Sequence, residues 1–230
     1  MNTVKAEALI RSGLLGTLKT ISARSREHWQ GIFNAHPWLS GPGDSYLGFS
    51  ARGGGACGEH SHAINIWQHF AHVAGAGRVM EVSAHLDIVK TDAVDYDQLA
   101  LITVKTGQGL VGDIIQDVVT SPAEKSARLQ GDKGFVEWRV NHAPGKDAVL
   151  SGSFGGPIHE DMIPKARADD FKAEIDHLAA VMSGSMTDSP ISIERGLDTM
   201  MVIAAAFKSH ALGRRVRIDW SQGYVPGAIL

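Results

Sequence analysis

Residues 78–89 read RVMEVSAHLDIV, where Met80, Val82, Ala84, Leu86 and Ile88 alternate with Glu81, Ser83, His85 and Asp87. A period of two sends alternate side chains to opposite sides of an extended chain, so this stretch is a strand with one face buried and one wet. Further strand-like runs follow at 98–105, 110–120, 125–130 and 135–140, joined through KTGQG, TSPAE and GDKG. A parallel connection needs a dozen or more residues, so links this short make the strands antiparallel neighbours in a meander.

Upstream, Ala6, Leu9, Ile10 and Leu14 recur at helical spacing from Thr3 onward, with Gly13 and Gly16 as breakers. Residues 18–29 are richer in β-formers and predict a strand. Then comes a long loop punctuated by Gly and Pro, NAHPWLSGPGDSYLGFSARGGG. Ala63, Ile66, Trp67, Phe70 and Ala74 predict a helix over 63–74, ending at Gly75 and Gly77. Downstream of the meander, SGSFGG reads as a link to two helices. One carries the stripe Phe171, Ile175, Leu178, Ala179 and Met182, the other Ile193, Leu197, Met201, Ala204 and Phe207. Ser189 and Pro190 stand where an N-cap and first helical residue belong, both stripes call for a sheet face to cover, and 215–219 (RVRID) can return to the sheet as a strand. The order argues α+β: an open, mostly antiparallel sheet with helices packed on one face, in one domain over 1–230.

The composition narrows the function classes. The chain has 230 residues, 43% hydrophobic and 20% charged, with mean hydropathy −0.06, which excludes wholesale disorder. Its 22 Lys and Arg against 25 Asp and Glu lack the basic excess of a nucleic-acid groove. Cys57 is the one cysteine, so no intramolecular disulfide can form and a reducing cytoplasm fits. The opening is broken by Lys5, Glu7, Arg11 and Gly13, unlike a signal peptide, and the longest apolar run, 200–207, is far below the ~20 residues that span a bilayer. Neither nucleic acid nor membrane is an expected partner.

Residues 53–58, GGGACG, match the G-x-G-x-x-G of dinucleotide-binding loops, with Glu81 where a ribose-binding acid would stand. The context fails, because SYLGFSAR before it has no β-branched core run and a meander follows it. The alternative is a flexible turn entering a helix. On that helix His62, Asn65, His69 and His72 share one sector opposite Ala63, Trp67, Phe70 and Ala74. His62, at the glycine-loop end, is the candidate acid or base; His69 and His72 read as a solvated face. Glu59, His60 and His62 also form a candidate metal cluster, but H-E-x-x-H and paired cysteines are lacking, so no metal site is assigned. Trp29, His36, Trp38 and Tyr46 offer flat apolar surfaces with polar edges for a sugar-like ligand, or else a mini-core pinning the loop.

The segment GGGACGEHSHAIN resembles the GG-x(n)-H-x-x-D region of the Gfo/Idh/MocA oxidoreductases, relatives of glucose-fructose oxidoreductase and inositol dehydrogenase. EALIRSGLLGTLKTISAR, GAGRVMEV and RGLDTMMVIAAAFKSHALGRRVRI are similar to that family's segments after its nucleotide-binding half, so the resemblance covers essentially the whole chain. It implies a C-terminal substrate-binding and oligomerisation domain of an NAD- or NADP-dependent enzyme acting on a sugar, cyclitol or related polyol. The Rossmann half is not among these residues, so no cofactor is expected for this chain alone and a homo-oligomer is expected through the open sheet face. The resemblance makes His62 the proton acceptor, with Glu59, His60, Asn65, Trp29, His36 and Trp38 around the substrate. The family aspartate four residues before the histidine falls on Gly58 and the one three after it on Asn65, so Glu59 or His60 would replace the lost carboxylate. A freestanding binding or dimerisation module of the same fold is the alternative.

Overall fold

A computed structural model describes residues 1–230, the side chain of Arg167 excepted. One nine-stranded sheet runs β8-β7-β6-β5-β1-β4-β3-β2-β9. In chain order its strands are β1 (Leu18–Arg26), β2 (Val79–Lys90), β3 (Asp95–Thr106), β4 (Val111–Asp117), β5 (Glu124–Gly131), β6 (Gly134–Ala143), β7 (Lys146–Ser153), β8 (His159–Pro164) and β9 (Val216–Arg217). The helices are α1 (Asn2–Arg11), α2 (Gln30–Ala35), α3 (Gly55–Glu59), α4 (His62–Val73), α5 (Arg167–Met182) and α6 (Ile193–Leu212). The α+β class and the antiparallel character of the sheet agree with the sequence reading.

The meander does not run unbroken. β1 lies between β4 and β5, parallel to the first and antiparallel to the second. The two strands joined by the link 118–123 therefore run antiparallel without touching. A link of that length reaches ~20 Å, ample for the ~10 Å across two strand spacings, so short links fix direction here but not adjacency. Asp117 secures the crossing, accepting from Arg26 Nε at 2.6 Å, Thr120 N at 2.8 Å and Val119 N at 3.1 Å. Strands β7 and β8 are additions to the sequence reading, which took 151–156 for a link. Glycine and serine hide the strand there, yet Ala148 and Val149 are fully buried against β6.

Helices α1, α4 and α6 lie over one face, where Ile21, Ala23, Ala127, Leu129, Ile102 and Val82 meet Trp67, Phe70, Ile64 and Val202 in one core. The indole N–H of Trp67 reaches through to the carbonyl of Ile21 at 2.8 Å, fully buried. Gly112, beside Ile21 in the parallel ladder, makes room: a Cβ there would lie 2.1 Å from the Ile21 carbonyl and 2.6 Å from Trp67 Nε1. α6 starts three residues past the expected Ser189 cap and Pro190 start, with the Ser192 hydroxyl accepting from Arg195 N, and ends at Gly213 in the left-handed region. Where short β9 leaves β2 unpaired, Ser209 Oγ accepts from Ala84 N at 3.0 Å and His210 Nδ1 from Leu86 N at 3.2 Å, so the helix covers a sheet edge. Ile88, expected inside, is 37% exposed because the ladder shifts register between Asp87 and Ile88.

Helix α5 departs from expectation. Its stripe covers no sheet face; Phe171, Ile175, Leu178 and Met182 are all exposed. Gly112→Ala should destabilise the protein by about 1–3 kcal/mol, through overpacking at the α4 dock. Trp67→Phe should cost a similar ~1–3 kcal/mol by removing this buried hydrogen bond and part of the ring packing. Urea unfolding measures both, and a neutral Gly112→Ala would contradict this close approach.

Candidate functional site

The glycine loop folds around an internal carboxylate. Asp97 of β3, fully buried, accepts from Cys57 N and from Ser50 Oγ, both at 2.7 Å. Gly55 has φ +76°, and a Cβ on it would lie 2.0 Å from Asp97 Oδ1; one on Gly54 would strike the Tyr46 carbonyl at 2.2 Å. The loop thus spends its Cys57 amide and the freedom of Gly55 on Asp97, with the Gly53 and Gly54 amides turned back to the Ser50 and Phe49 carbonyls, which is not the cradle of free amides a pyrophosphate needs. Burial raises the Asp97 pKa against the lowering effect of these donors. The turn-into-helix reading of GGGACG holds, and these residues do not fit a dinucleotide.

Gln116 of β4 carries the next step. Fully buried, it accepts from Ile64 N at 3.2 Å and donates to the Ala56 carbonyl at 3.4 Å, bridging α3 and the first turn of α4. Since Ser61 makes no side-chain cap, this sheet side chain satisfies one of the free N–H groups at the helix start and fixes where His62 begins α4.

His62 opens into a cleft of about 390 Å³ on the helix side of the sheet. Asn65 and Ile66 share its α4 wall. Ser25, Lys125, Trp138 and Val140 form the floor, and Lys165 with Asp170, at the start of α5, stands opposite. Lys125 pairs with Glu27 at 2.5 Å; Lys165 pairs with Asp170 at 2.8 Å and with Asp147 at 3.4 Å. His60 lies just behind, 4% exposed, its Nε2 without a partner. Desolvation first, then the Lys125 ammonium, lowers the pKa of both His60 and His62 below the ordinary 6.5. A neutral imidazole with a free nitrogen at a cleft can accept a proton.

The other expected residues divide. Glu59 accepts from the Tyr46 hydroxyl at 2.7 Å, which together with burial raises the Tyr46 pKa. Asn65 bonds Thr199 of α6 at 3.4 Å while lining the cleft. Trp29 is a correction: it is 4% exposed in a second core with Leu47, Ala56 and Val118, its ring 4.8 Å from Tyr96. It pins the loop, as the mini-core reading has it, and does not line the cleft. His36 rests its ring edge-to-face against Trp38, which is 73% exposed, and neither lines the cleft. The histidine face is not simply solvated either, since His69 meets Glu7 of α1 at 3.0 Å and His72 accepts from Arg195. Among the described residues, no three His, Cys, Asp or Glu side chains are arranged to hold a metal ion.

Sequence reasoning missed Ser25, Lys125, Trp138, Lys165 and Asp170. Each is far from His62 in the chain, and the register that sets Ser25 beside Lys125 exists only because β1 inserts next to β5. The one local signal was Trp138, which alternates with Glu137 and Arg139 as an inward residue of its strand.

The family profile described as the GFO/IDH/MocA C-terminal domain matches residues 3–137. Similar solved structures include aldose-aldose oxidoreductase from Caulobacter crescentus complexed with glycerol, 20% identical with a TM-score of 0.72, over 94% of this chain and 60% of that one. An oxidoreductase from Agrobacterium radiobacter in complex with NAD+, L-tartaric acid and magnesium is 17% identical with a TM-score of 0.70, over 94% and 61%. Levoglucosan dehydrogenase, in complex with NADH and levoglucosan, is 17% identical with a TM-score of 0.69, over 92% and 62%. At these identities the likeness establishes a common fold, and the chain spans about 60% of the length of those structures. No curated protein sequence matches.

Because both imidazoles are held neutral, stability should fall as the pH drops from the unfolded value near 6.5 toward the lower folded values, and be fully present above 6.5. Urea unfolding at several pH values reads this. Lys125→Met should raise the His62 pKa, read from its imidazole proton resonances, because a neighbouring positive charge has been removed.

Proposed function

The chain belongs to the GFO/IDH/MocA C-terminal domain family, and from that premise we propose that residues 1–230 form the substrate-binding and oligomerisation domain of an NAD- or NADP-dependent oxidoreductase. Its substrate class is a sugar, cyclitol or related polyol, in keeping with the glycerol and levoglucosan bound by two of the similar structures. Carrying this reading is the position of His62, a pKa-lowered imidazole at the mouth of a 390 Å³ cleft floored by an aromatic ring and a lysine. His62 takes the proton of the reacting hydroxyl, Asn65 orients a neighbouring hydroxyl, and His60 with Glu59 backs the site from behind. The dinucleotide would supply the hydride acceptor from a part of the enzyme other than these residues, since the glycine loop is filled by Asp97. Among the described residues no helix is long and apolar enough to cross a membrane, and a buried, unpaired Cys57 fits a reducing cytoplasm.

In a protein carrying the part of the relatives' length that this chain does not span, His62→Ala should lower kcat by ~100 to 10,000-fold on a polyol with a smaller change in KM. His72→Ala, against Arg195 at the far end of α4, should change kcat far less. Equal small effects would reduce His62 to a structural residue; a folded but inactive protein would favour the binding-module reading.

The open face of the sheet supports the oligomer. Leu101 (43% exposed), Ile115 and Val111 (49%) lie on neighbouring strands there, Leu101 and Ile115 directly opposite each other, among Arg24, Asp113 and Glu124. A two-fold contact between two such faces would bury this patch. Light scattering should give at least twice 24.6 kDa, and Ile115→Asp should dissociate the assembly; a wild-type monomer at micromolar concentration would overturn it.

A further inference from the structure

Polar groups without partners lie around the His62 cleft. The Trp138 Nε1–H is buried without a partner, and so is the hydroxyl of Ser25, itself 1% exposed. An indole N–H can only donate, and an orphaned buried donor at a cavity wall calls for something that accepts from it. Lys125 spends one contact on Glu27 and Lys165 two, on Asp147 and Asp170. An ammonium has three N–H groups, so both lysines, their side chains 28% and 25% exposed, keep capacity in the cleft. The carboxylate opposite is Asp170.

A hydroxyl brings one donor along with its two acceptor lone pairs, so a ligand made only of hydroxyls satisfies these donors in part; a carboxylate brings acceptors alone. Charge decides between anions. Each lysine already has a carboxylate partner and Lys165 has two, and Arg24, which also lines the cleft, faces Asp113 and Glu124, so the wall has no excess of positive charge to neutralise a phosphate dianion, whereas a singly charged carboxylate needs donors more than net charge. Resting on the reading of this cleft as the substrate site, we propose that its substrate is a polyol bearing a carboxylate, such as an aldonic or uronic acid, whose acid group lies between Lys125, Lys165 and the Trp138 indole.

The indole N–H resonance of Trp138 in the ¹⁵N-labelled full chain, assigned by its loss in Trp138→Phe, reports binding directly. D-gluconate, myo-inositol and D-glucose 6-phosphate are the probes, with the His62 imidazole signals followed in parallel. D-gluconate should shift the Trp138 signal at about ten-fold lower concentration than myo-inositol, equivalent to ~1.4 kcal/mol. Lys125→Met and Lys165→Met, each first checked for an unchanged fold by its amide spectrum, should weaken the D-gluconate response by more than the myo-inositol response and so remove that preference. Myo-inositol acting at the same or lower concentration, with His62 responding, would overturn the carboxylate and leave the polyol site standing. D-glucose 6-phosphate acting at lower concentration than D-gluconate would overturn it in favour of a phosphate. Silence of both Trp138 and His62 toward every probe would overturn the carboxylate and the substrate-site reading together.

Discussion

The hydrogen bond from the Trp67 indole to the Ile21 carbonyl, made through the space that Gly112 leaves free, is the contact on which the arrangement turns. It draws α4 down onto β1 and β4, the one parallel pair in the sheet. Burying a ring as large as tryptophan contributes strongly to the core, and its one polar atom is satisfied by the Ile21 carbonyl. Because the contact spans helix and sheet, it fixes the height of α4 and with it the mouth of the cleft where His62 begins that helix.

A second constraint sets the cleft's other boundary. Gln116 ties the start of α4 to α3, and Asp97 gathers the glycine loop beneath α3. Both are polar side chains fully buried in the sheet, affordable because each is hydrogen-bonded. Three glycines of the run that imitates a nucleotide fingerprint are needed here for sterics: a Cβ on Gly54 would meet the Tyr46 carbonyl, one on Gly55 would meet Asp97, and one on Gly58 would meet the Gly53 carbonyl at 2.1 Å. A glycine motif records close backbone approach, and what approaches can be the protein itself.

The electrostatics of the cleft follow from this packing. Two imidazoles lose water and gain a lysine neighbour, so both stay neutral near physiological pH. The Lys125–Glu27 pair draws together the start of β5 and the residue just past β1. Helix α5 begins at the cleft and then runs off with Phe171 and Ile175 in solvent, so its first turn belongs to the site while its body stands clear of the core.

The amino-acid sequence determined what depends on neighbours in the chain. The period of two in RVMEVSAHLDIV, the stripe of Ala63, Trp67 and Phe70 and the glycine stops specify β2, α4 and their ends, because side-chain direction follows from local backbone geometry. The α+β class, and His62 at the start of a helix entered from a glycine turn, were legible in the same way. The tertiary structure alone decided that β1 would slip between β4 and β5, since a short link limits distance but not which strand lies between its ends. It alone set Ser25 beside Lys125 and Trp138 beneath His62, and left the α5 stripe without a sheet to cover. Those pairings join residues about 75 to 115 positions apart, and no local pattern encodes them, because the free energy that selects them comes from burying all the strands and helices at once.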